Sequence, residues 1–124
     1  MTLSITSKLL ITLVALEFIY IFFLETIATT SESTARVFKM TQEELKRKSV
    51  STLFKNQGVY NLLISFLLLY SVYFSNNSYE LSILLLASVI CVAFYGGISS
   101  DIMIIVKQGG LAILALLNLL VLNL

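Results

Sequence analysis

The chain has 124 residues, enough for one domain, and 58% of them are hydrophobic whereas 12% are charged. A soluble domain of this size could not bury so much apolar surface, because small domains leave a large share of their surface exposed. The apolar residues also come in long runs rather than at amphipathic spacing, which is typical of membrane helices. The sequence therefore predicts an all-α integral membrane protein.

The composition also limits the chemistry available to the chain. It has no His, no Trp and no Pro, and Cys91 is its single cysteine. One cysteine cannot form a disulfide within the chain, and the Cys and His clusters that hold zinc are missing. The basic residues are explained by membrane topology, so they do not indicate a nucleic-acid partner. We expect no metal, no cofactor and no nucleic acid, and the lipid bilayer as the surrounding partner.

Four apolar runs predict four transmembrane helices. Each run has about 17 to 19 residues, which at roughly 1.5 Å per residue just crosses a hydrocarbon core of about 30 Å. A polar loop, 28–55, separates the first two runs and holds most of the charged residues. The predicted fold is an integral membrane four-helix bundle in a single transmembrane domain, 1–124. The predicted spans are approximately 9–27, 56–74, 81–98 and 108–123.

An alternative for the first run is a cleaved signal peptide, since the basic residue Lys8 precedes it. The apolar stretch is too long for a signal peptide and contains two carboxylates, Glu17 and Glu25. It also lacks a small-residue cleavage site. These features favour a first transmembrane helix that is not cleaved.

The polar segments between the runs predict a short helix and a turn. Thr41 and Glu44 have the spacing of a capping box, so a short amphipathic helix is expected from Glu43 to about Ser49. We interpret it as a solvated cytoplasmic helix that also attracts anionic headgroups, in preference to a dedicated partner site. The segment 75–78, Ser-Asn-Asn-Ser, predicts a tight turn between the second and third spans.

The distribution of basic residues predicts the orientation of the chain. Cytoplasmic loops of membrane proteins are enriched in Lys and Arg. Of the eight basic residues, Lys8 alone lies on one side, and the others lie in the loops between spans one and two and between spans three and four. The sequence therefore predicts a multi-pass plasma-membrane protein with both termini extracytoplasmic.

Polar side chains within the predicted spans are the candidate functional residues. A charged side chain at the centre of a span costs roughly 2.5 to 3.5 kcal/mol, so such residues tend to face inward and to have a purpose. All four helices place hydrogen-bonding groups in the cytoplasmic half, whereas the extracytoplasmic half is nearly all Leu, Ile, Val and Phe. The sequence predicts a polar pocket open toward the cytoplasm. Its candidate ligand-binding or polar-core residues are Glu17, Tyr20, Glu25, Asn56, Gln57, Tyr60, Asn61, Tyr95 and Gln108.

The same residues also admit a structural interpretation. Interhelical hydrogen bonds stabilise membrane bundles by about 0.6 kcal/mol each, and Glu25 could snorkel to the interface or pair with Lys55 or Lys107. For Glu17 the functional interpretation is favoured, because a Gln at this position would form the same interhelical hydrogen bonds without the free-energy penalty of a charge in the membrane. We predict that Glu17 is protonated at neutral pH and hydrogen-bonded to a Tyr or an amide. A protonated-carboxyl infrared band that persists at neutral pH and vanishes in Glu17→Gln would support this.

The string at 56–61, Asn-Gln-Gly-Val-Tyr-Asn, is the most specific motif in the chain. With shorter matches elsewhere, it resembles the DUF1304 family of small four-helix bacterial integral membrane proteins. That family often has His directly after the first-span Glu, where this chain has Phe18, so a mechanism that needs a Glu–His pair does not carry over. The resemblance implies the four-helix membrane fold and the importance of the same polar residues. It does not imply a particular chemical reaction. The shorter matches are Ala15-Leu16-Glu17, Tyr20, Leu24-Glu25, Val37-Phe38, Thr41, Tyr95-Gly96 and Gln108-Gly109.

Three classes of function remain open from the sequence. The chain could bind or transport a small polar or amphipathic molecule, with proton linkage through Glu17 and Glu25; a homodimer would then be expected, since four helices are few for a transporter. It could be a non-catalytic membrane partner subunit whose polar core fixes helix packing. It could also be an enzyme acting on a lipid-like substrate, with a carboxylate as acid or base and Asn56, Gln57 and Tyr95 orienting the substrate. No motif in the sequence indicates which ligand the chain would bind.

Overall fold

The computed structural model describes residues 2–123, and the regular secondary structure in that range is all helical, with turns and short irregular segments between the helices. This confirms the all-α prediction. Most of the helical residues belong to long helices that carry the apolar runs. The α-helices are α1 (Ile5–Phe22), α2 (Glu32–Phe38), α3 (Gln42–Lys46), α4 (Lys48–Tyr73), α5 (Ser78–Ser99) and α6 (Met103–Leu117), and π-helical segments extend α1 through Phe23–Ile27 and α6 through Asn118–Leu122.

Three helical segments within residues 2–123 are long and apolar enough to cross a membrane, namely Ile5–Ile27, Ser78–Ser99 and Met103–Leu122. They correspond to the first, third and fourth predicted spans. The second predicted span lies in α4, whose first half carries Asn and Gln residues that make it more polar than the others. The three apolar helices indicate a membrane protein, and the four-helix bundle stays a prediction.

The loop between the first and second predicted spans contains more helix than the sequence indicated. Ser31 is the N-cap of α2, because its side-chain oxygen accepts a hydrogen bond from the Thr34 backbone N–H at 3.2 Å. The predicted capping box is confirmed at the start of α3, where the Glu44 N–H donates to Thr41 Oγ1 at 3.1 Å and the Thr41 N–H donates to Glu44 Oε1 at 3.0 Å.

The boundary between α3 and α4 differs from the prediction. The short helix was expected to continue to about Ser49, but α3 ends at Lys46 because Arg47 adopts an extended backbone, with φ −63° and ψ 133°. The Arg47 carbonyl then accepts from the Ser51 N–H at 2.8 Å, which starts α4 well before Asn56. The helix is therefore longer than its apolar part, since polar residues 48–55 remain compatible with helical backbone.

Among the described residues, the chain divides into two compact units. The first unit comprises residues 2–15 and 66–123, and the second comprises residues 16–65. Both divisions fall inside helices, so α1 and α4 each contribute to both units.

In the first unit, α5 and α6 pack through small residues. A Cβ added to Gly109 would lie 3.1 Å from the Ala93 Cβ, so the two helices approach closely at this point. The turn predicted at 75–78 is confirmed by the end of α4 and the start of α5. Ser71 and Ser82 join the flanking helices, with their hydroxyls 3.1 Å apart.

The end of the first unit that holds the start of α1 and the end of α6 is more polar than the sequence indicated. Ser7 is fully buried there, and its hydroxyl donates to Asn123 Oδ1 at 3.2 Å. The Asn118 amide donates to the same Ser7 hydroxyl at 2.8 Å. Ser7, Asn118 and Asn123 are far apart in the chain and converge only in three dimensions.

Candidate functional site

The predicted site residues divide between the two units. Tyr95 and Gln108 belong to the first unit. Tyr95 is exposed and Gln108 is half-buried. The remaining seven belong to the second unit and lie on α1, its π-helical extension and α4; they are Glu17, Tyr20, Glu25, Asn56, Gln57, Tyr60 and Asn61.

Two of these seven residues form a direct bond. Glu25 is only 1% exposed, and its Oε1 accepts a hydrogen bond from the Asn61 Nδ2 at 2.6 Å. The amide thus replaces the lysines that the sequence offered as partners for this carboxyl. A buried carboxyl group that accepts from a side-chain amide is fixed in orientation, so Glu25 and Asn61 form an ordered polar centre.

Gly58 explains how this bond can form. A Cβ at this position would overlap with Thr26 Oγ1 and lie 3.1 Å from the Glu25 Cβ, so the π-helical segment rests directly on the α4 backbone. The Thr26 hydroxyl also donates to the Lys55 carbonyl at 2.9 Å. The motif at 56–61 therefore combines a close-approach glycine with the amide that binds Glu25.

The π-helical segment frees carbonyl groups that a buried threonine then binds. The Ala28 N–H donates to the Phe23 carbonyl at 2.8 Å, one residue further back than in an α-helix. The Thr34 hydroxyl lies 3.0 Å from the Leu24 carbonyl oxygen and 2.7 Å from that of Ala28. Sequence reasoning missed Thr34, which is fully buried, because it stands in a run of Ser and Thr that predicts only a polar loop.

Glu17 is the polar residue with an unbonded atom. Its Oε1 is buried and has no hydrogen-bond donor among residues 2–123. The bond to a Tyr or an amide that the sequence predicted is therefore not formed at this oxygen, and the protonation of Glu17 stays a prediction. A buried acceptor without a donor costs about 1–3 kcal/mol, more if it is charged. Glu17 is thus the one predicted residue in this part of the chain whose burial is not compensated.

The other predicted residues of the second unit are exposed. Tyr20 and Tyr60 present more than half of their surface, and Asn56 and Gln57 are also exposed at the polar half of α4. They do not share a hydrogen bond with Glu25, whose donor among the described residues is Asn61. The polar centre of this unit is consequently smaller than the predicted set.

The chain matches the family model described as a protein of unknown function, DUF1304, over residues 12–120. The chain belongs to the DUF1304 family. It is also 55% identical over 115 residues to the uncharacterized protein YpaA of Lactococcus lactis subsp. lactis (strain IL1403), with 93% of this chain and 97% of that protein covered. No solved structure matches the chain. The resemblance stated from the motif at 56–61 is confirmed.

The family match includes every residue of the polar centre in this DUF1304 protein. The polar centre contains one carboxyl, on Glu25, and one amide, on Asn61, and Glu17 adds a second carboxyl on α1. Carboxylates accept hydrogen bonds and protonated carboxyls can also donate one, so the arrangement can hold a hydrogen-bonding group or a proton. Phe18 follows Glu17, so an adjacent imidazole does not supply acid–base chemistry here.

Proposed function

We propose that this DUF1304 protein spans the bacterial plasma membrane four times, as a four-helix bundle in a single transmembrane domain with both termini extracytoplasmic. Three apolar helices support the first, third and fourth spans. The 26 residues of α4 support the second span, because at roughly 1.5 Å per residue they extend beyond a hydrocarbon core of about 30 Å. The basic residues between α1 and α4 support a cytoplasmic loop.

Cysteine labelling in intact cells tests this topology. In a Cys91→Ser background, Ser33→Cys should react with a membrane-impermeant maleimide only after the membrane is opened. Asn76→Cys, in the turn between α4 and α5, should react in intact cells. Labelling of both positions from the same side would contradict four spans.

The proposed function is the binding or transport of a small polar or amphipathic molecule through the carboxyl groups of the second unit. The observation that carries the proposal is the buried Glu17 Oε1, which has no hydrogen-bond donor within residues 2–123. A buried acceptor oxygen without a donor is stabilised when a bound molecule donates a hydrogen bond to it from an N–H or O–H group. Ionisable residues within membrane helices commonly serve such substrate or proton sites. The molecule is therefore expected to carry a hydrogen-bond donor.

Glu25 supports this proposal in a different way. It is bonded to Asn61 at 2.6 Å and packed beside Gly58, so it provides a rigid element two helical turns from Glu17 along the same chain segment. The bond also favours a second candidate function, a non-catalytic partner subunit in which polar residues only hold helices together. Glu17 distinguishes the two functions, because a packing role gives no reason for an unbonded carboxyl oxygen.

A thermal-shift screen of the purified protein tests the binding function. The panel would contain primary alkyl amines, alcohols and polyols, with quaternary ammonium compounds as probes that carry no N–H donor. We expect at least one donor-bearing compound to raise the unfolding temperature of the wild type, and Glu17→Gln to remove that shift while the helical content is kept.

The matched control is Glu80→Gln, which removes an exposed carboxylate from the first turn of α5. It should respond to the panel as the wild type does. Equal stabilisation of Glu17→Gln and wild type by every active compound, or no active compound at all, would favour the partner-subunit function. If the function is transport, chemical crosslinking of membranes should also yield a homodimer, since four spans are few for a transporter.

A further inference from the structure

A basic depression lies where α3 gives way to α4. It has a volume of about 860 Å³ and is lined by Arg47, Lys48, Ser49, Thr52 and Leu53. The extended backbone of Arg47 interrupts the helix, so the side chains of Arg47 and Lys48 leave the chain at a bend rather than along one continuous helix face.

The lining combines two kinds of group. Arg47 and Lys48 contribute positive charges, and Ser49 and Thr52 contribute hydroxyls. A guanidinium presents paired N–H groups that match two oxygens of a phosphate, and hydroxyls donate to a third. The depression therefore has the chemistry that recognises a phosphate group.

Glu44 is an acidic residue that lies close enough to Arg47 to interact with its charge. Hydrogen bonds from the Thr41 backbone N–H and hydroxyl hold the pKa of Glu44 below its ordinary value, and the positive charge of Arg47 lowers it further. The Glu44 Oε1 is occupied by the capping box, 3.0 Å from the Thr41 nitrogen. Glu44 therefore offsets part of the Arg47 charge, whereas the described residues that line the depression itself include two cations and no carboxylate.

Leu53 makes the depression amphipathic. Its side chain is 66% exposed, and it lies one helical turn beyond Ser49 on the same face of α4. The exposed Asn56 and Gln57 follow it on α4, and the apolar half of the helix begins after Asn61. A ligand with a phosphate at one end and a hydrocarbon chain at the other would contact the cations, the hydroxyls and this leucine in sequence.

We propose that this depression binds the headgroup of an anionic phospholipid of the surrounding membrane, with the start of an acyl chain along Leu53. Juxtamembrane cations attract anionic lipids, and the depression restricts that attraction to one place. The proposal uses the membrane location of the helices but not the ligand of Glu17, so either can fail alone.

Native mass spectrometry of the full chain in detergent tests the proposal. The protein would be incubated with equal amounts of phosphatidylglycerol and phosphatidylcholine, and the bound lipids counted. We expect phosphatidylglycerol adducts to predominate on the wild type. The double variant Arg47→Gln/Lys48→Gln should lose about 30-fold in affinity for phosphatidylglycerol, since each cation that meets the anionic headgroup contributes about 1 kcal/mol.

The matched control, Arg36→Gln/Lys55→Gln, removes the same charge from the same loop but outside the depression. It should lose less than about 3-fold, because these two side chains lie outside the depression and form no charge-assisted hydrogen bond with the phosphate bound there. Equal losses in the two double variants, or equal binding of both lipids by the wild type, would overturn the proposal.

Two control experiments accompany the lipid-binding measurement, one for binding of free phosphate and one for loss of the fold. Inorganic phosphate at millimolar concentration should leave the phosphatidylglycerol adducts in place, and displacement at that concentration would assign the depression to a free phosphate and overturn the lipid proposal. Circular dichroism checks the helical content of each variant. If the double variant does not fold, the single variant Lys48→Gln replaces it, with Lys55→Gln as its control and the same ordering of losses expected.

Discussion

The two units of the molecule place polar groups inside apolar helices in opposite ways. In the first unit, the Asn123 Oδ1 accepts from the Ser4 N–H at 3.1 Å and from the Ser7 hydroxyl at 3.2 Å, and the Asn118 amide binds the same Ser7 hydroxyl. All of these side chains are neutral, and each has a partner. Such a network fixes packing without a charge to be neutralised.

The polar groups of the second unit include two carboxyls besides neutral side chains such as Thr34, and the bonding of these carboxyls is incomplete. Glu25 is bonded to Asn61, but Glu17 has a buried oxygen without a donor among the described residues. A neutral network of hydroxyls and amides is sufficient for helix packing, as the first unit shows. Under the proposed function the carboxyls of the second unit serve binding rather than packing, and the comparison can be tested by removing groups from each unit.

The largest effect is expected for Glu25→Ala. The substitution leaves the Asn61 amide without its acceptor and opens a cavity beside Gly58, so the free energy of unfolding should fall by about 3 kcal/mol. Unfolding of the detergent-solubilised protein followed by circular dichroism measures it. Glu25→Gln keeps an acceptor oxygen and should lose less than about 1 kcal/mol. Equal losses would show that the hydrogen bond does not stabilise the second unit.

Gly58→Ala should have the next largest effect. The added methyl group overlaps with Thr26 Oγ1, so the π-helical segment must move away from α4 at a cost of about 2 kcal/mol. The matched control is Gly110→Ala, because a Cβ there meets no atom within 4 Å. The control should be neutral or stabilising, since Ala favours a helix interior over Gly. The same unfolding experiment applies, and a neutral Gly58→Ala would argue against close packing at the motif.

Asn118→Ala should destabilise the first unit by about 0.5–1.5 kcal/mol, in keeping with interhelical hydrogen bonds in membranes. The loss is small because Ser7 keeps its contacts with Ser4 and Asn123. Ser88→Ala is the control, since the Ser88 hydroxyl binds only a carbonyl of its own helix. A loss as large as that of Glu25→Ala would remove the distinction between the neutral and the carboxyl networks.

The smallest effect is expected at the capping box of α3. The pKa of Glu44 is held low by the Thr41 backbone N–H and hydroxyl, so this interaction stabilises α3 above the ordinary pKa of Glu. The stabilisation is lost as the pH falls through the lower pKa of the folded state. The Thr41 amide resonance should follow this titration in NMR spectra, and Glu44→Gln should abolish it. Glu43→Gln should leave the titration unchanged.

Local features of this protein were predictable from the sequence, because each depends on residues a few positions apart. Apolar runs determine which segments form membrane-length helices. The spacing of Thr41 and Glu44 determined the cap of α3, and the Ser-Asn-Asn-Ser segment determined the turn before α5. The motif at 56–61 also indicated the family, which the match over residues 12–120 confirms.

Only the tertiary structure decided which polar groups meet. Glu25 and Asn61 are separated by 36 positions in the chain, and their bond depends on how each helix is rotated and on the π-helical turn at 23–27. The hydropathy pattern does not encode helix rotation or the π-helical turn, so the sequence offered Lys55 and Lys107 as equally good partners for Glu25. The buried Thr34, the close approach at Gly58 and the Ser7 network follow the same rule, because side chains distant in sequence become neighbours only when helices pack.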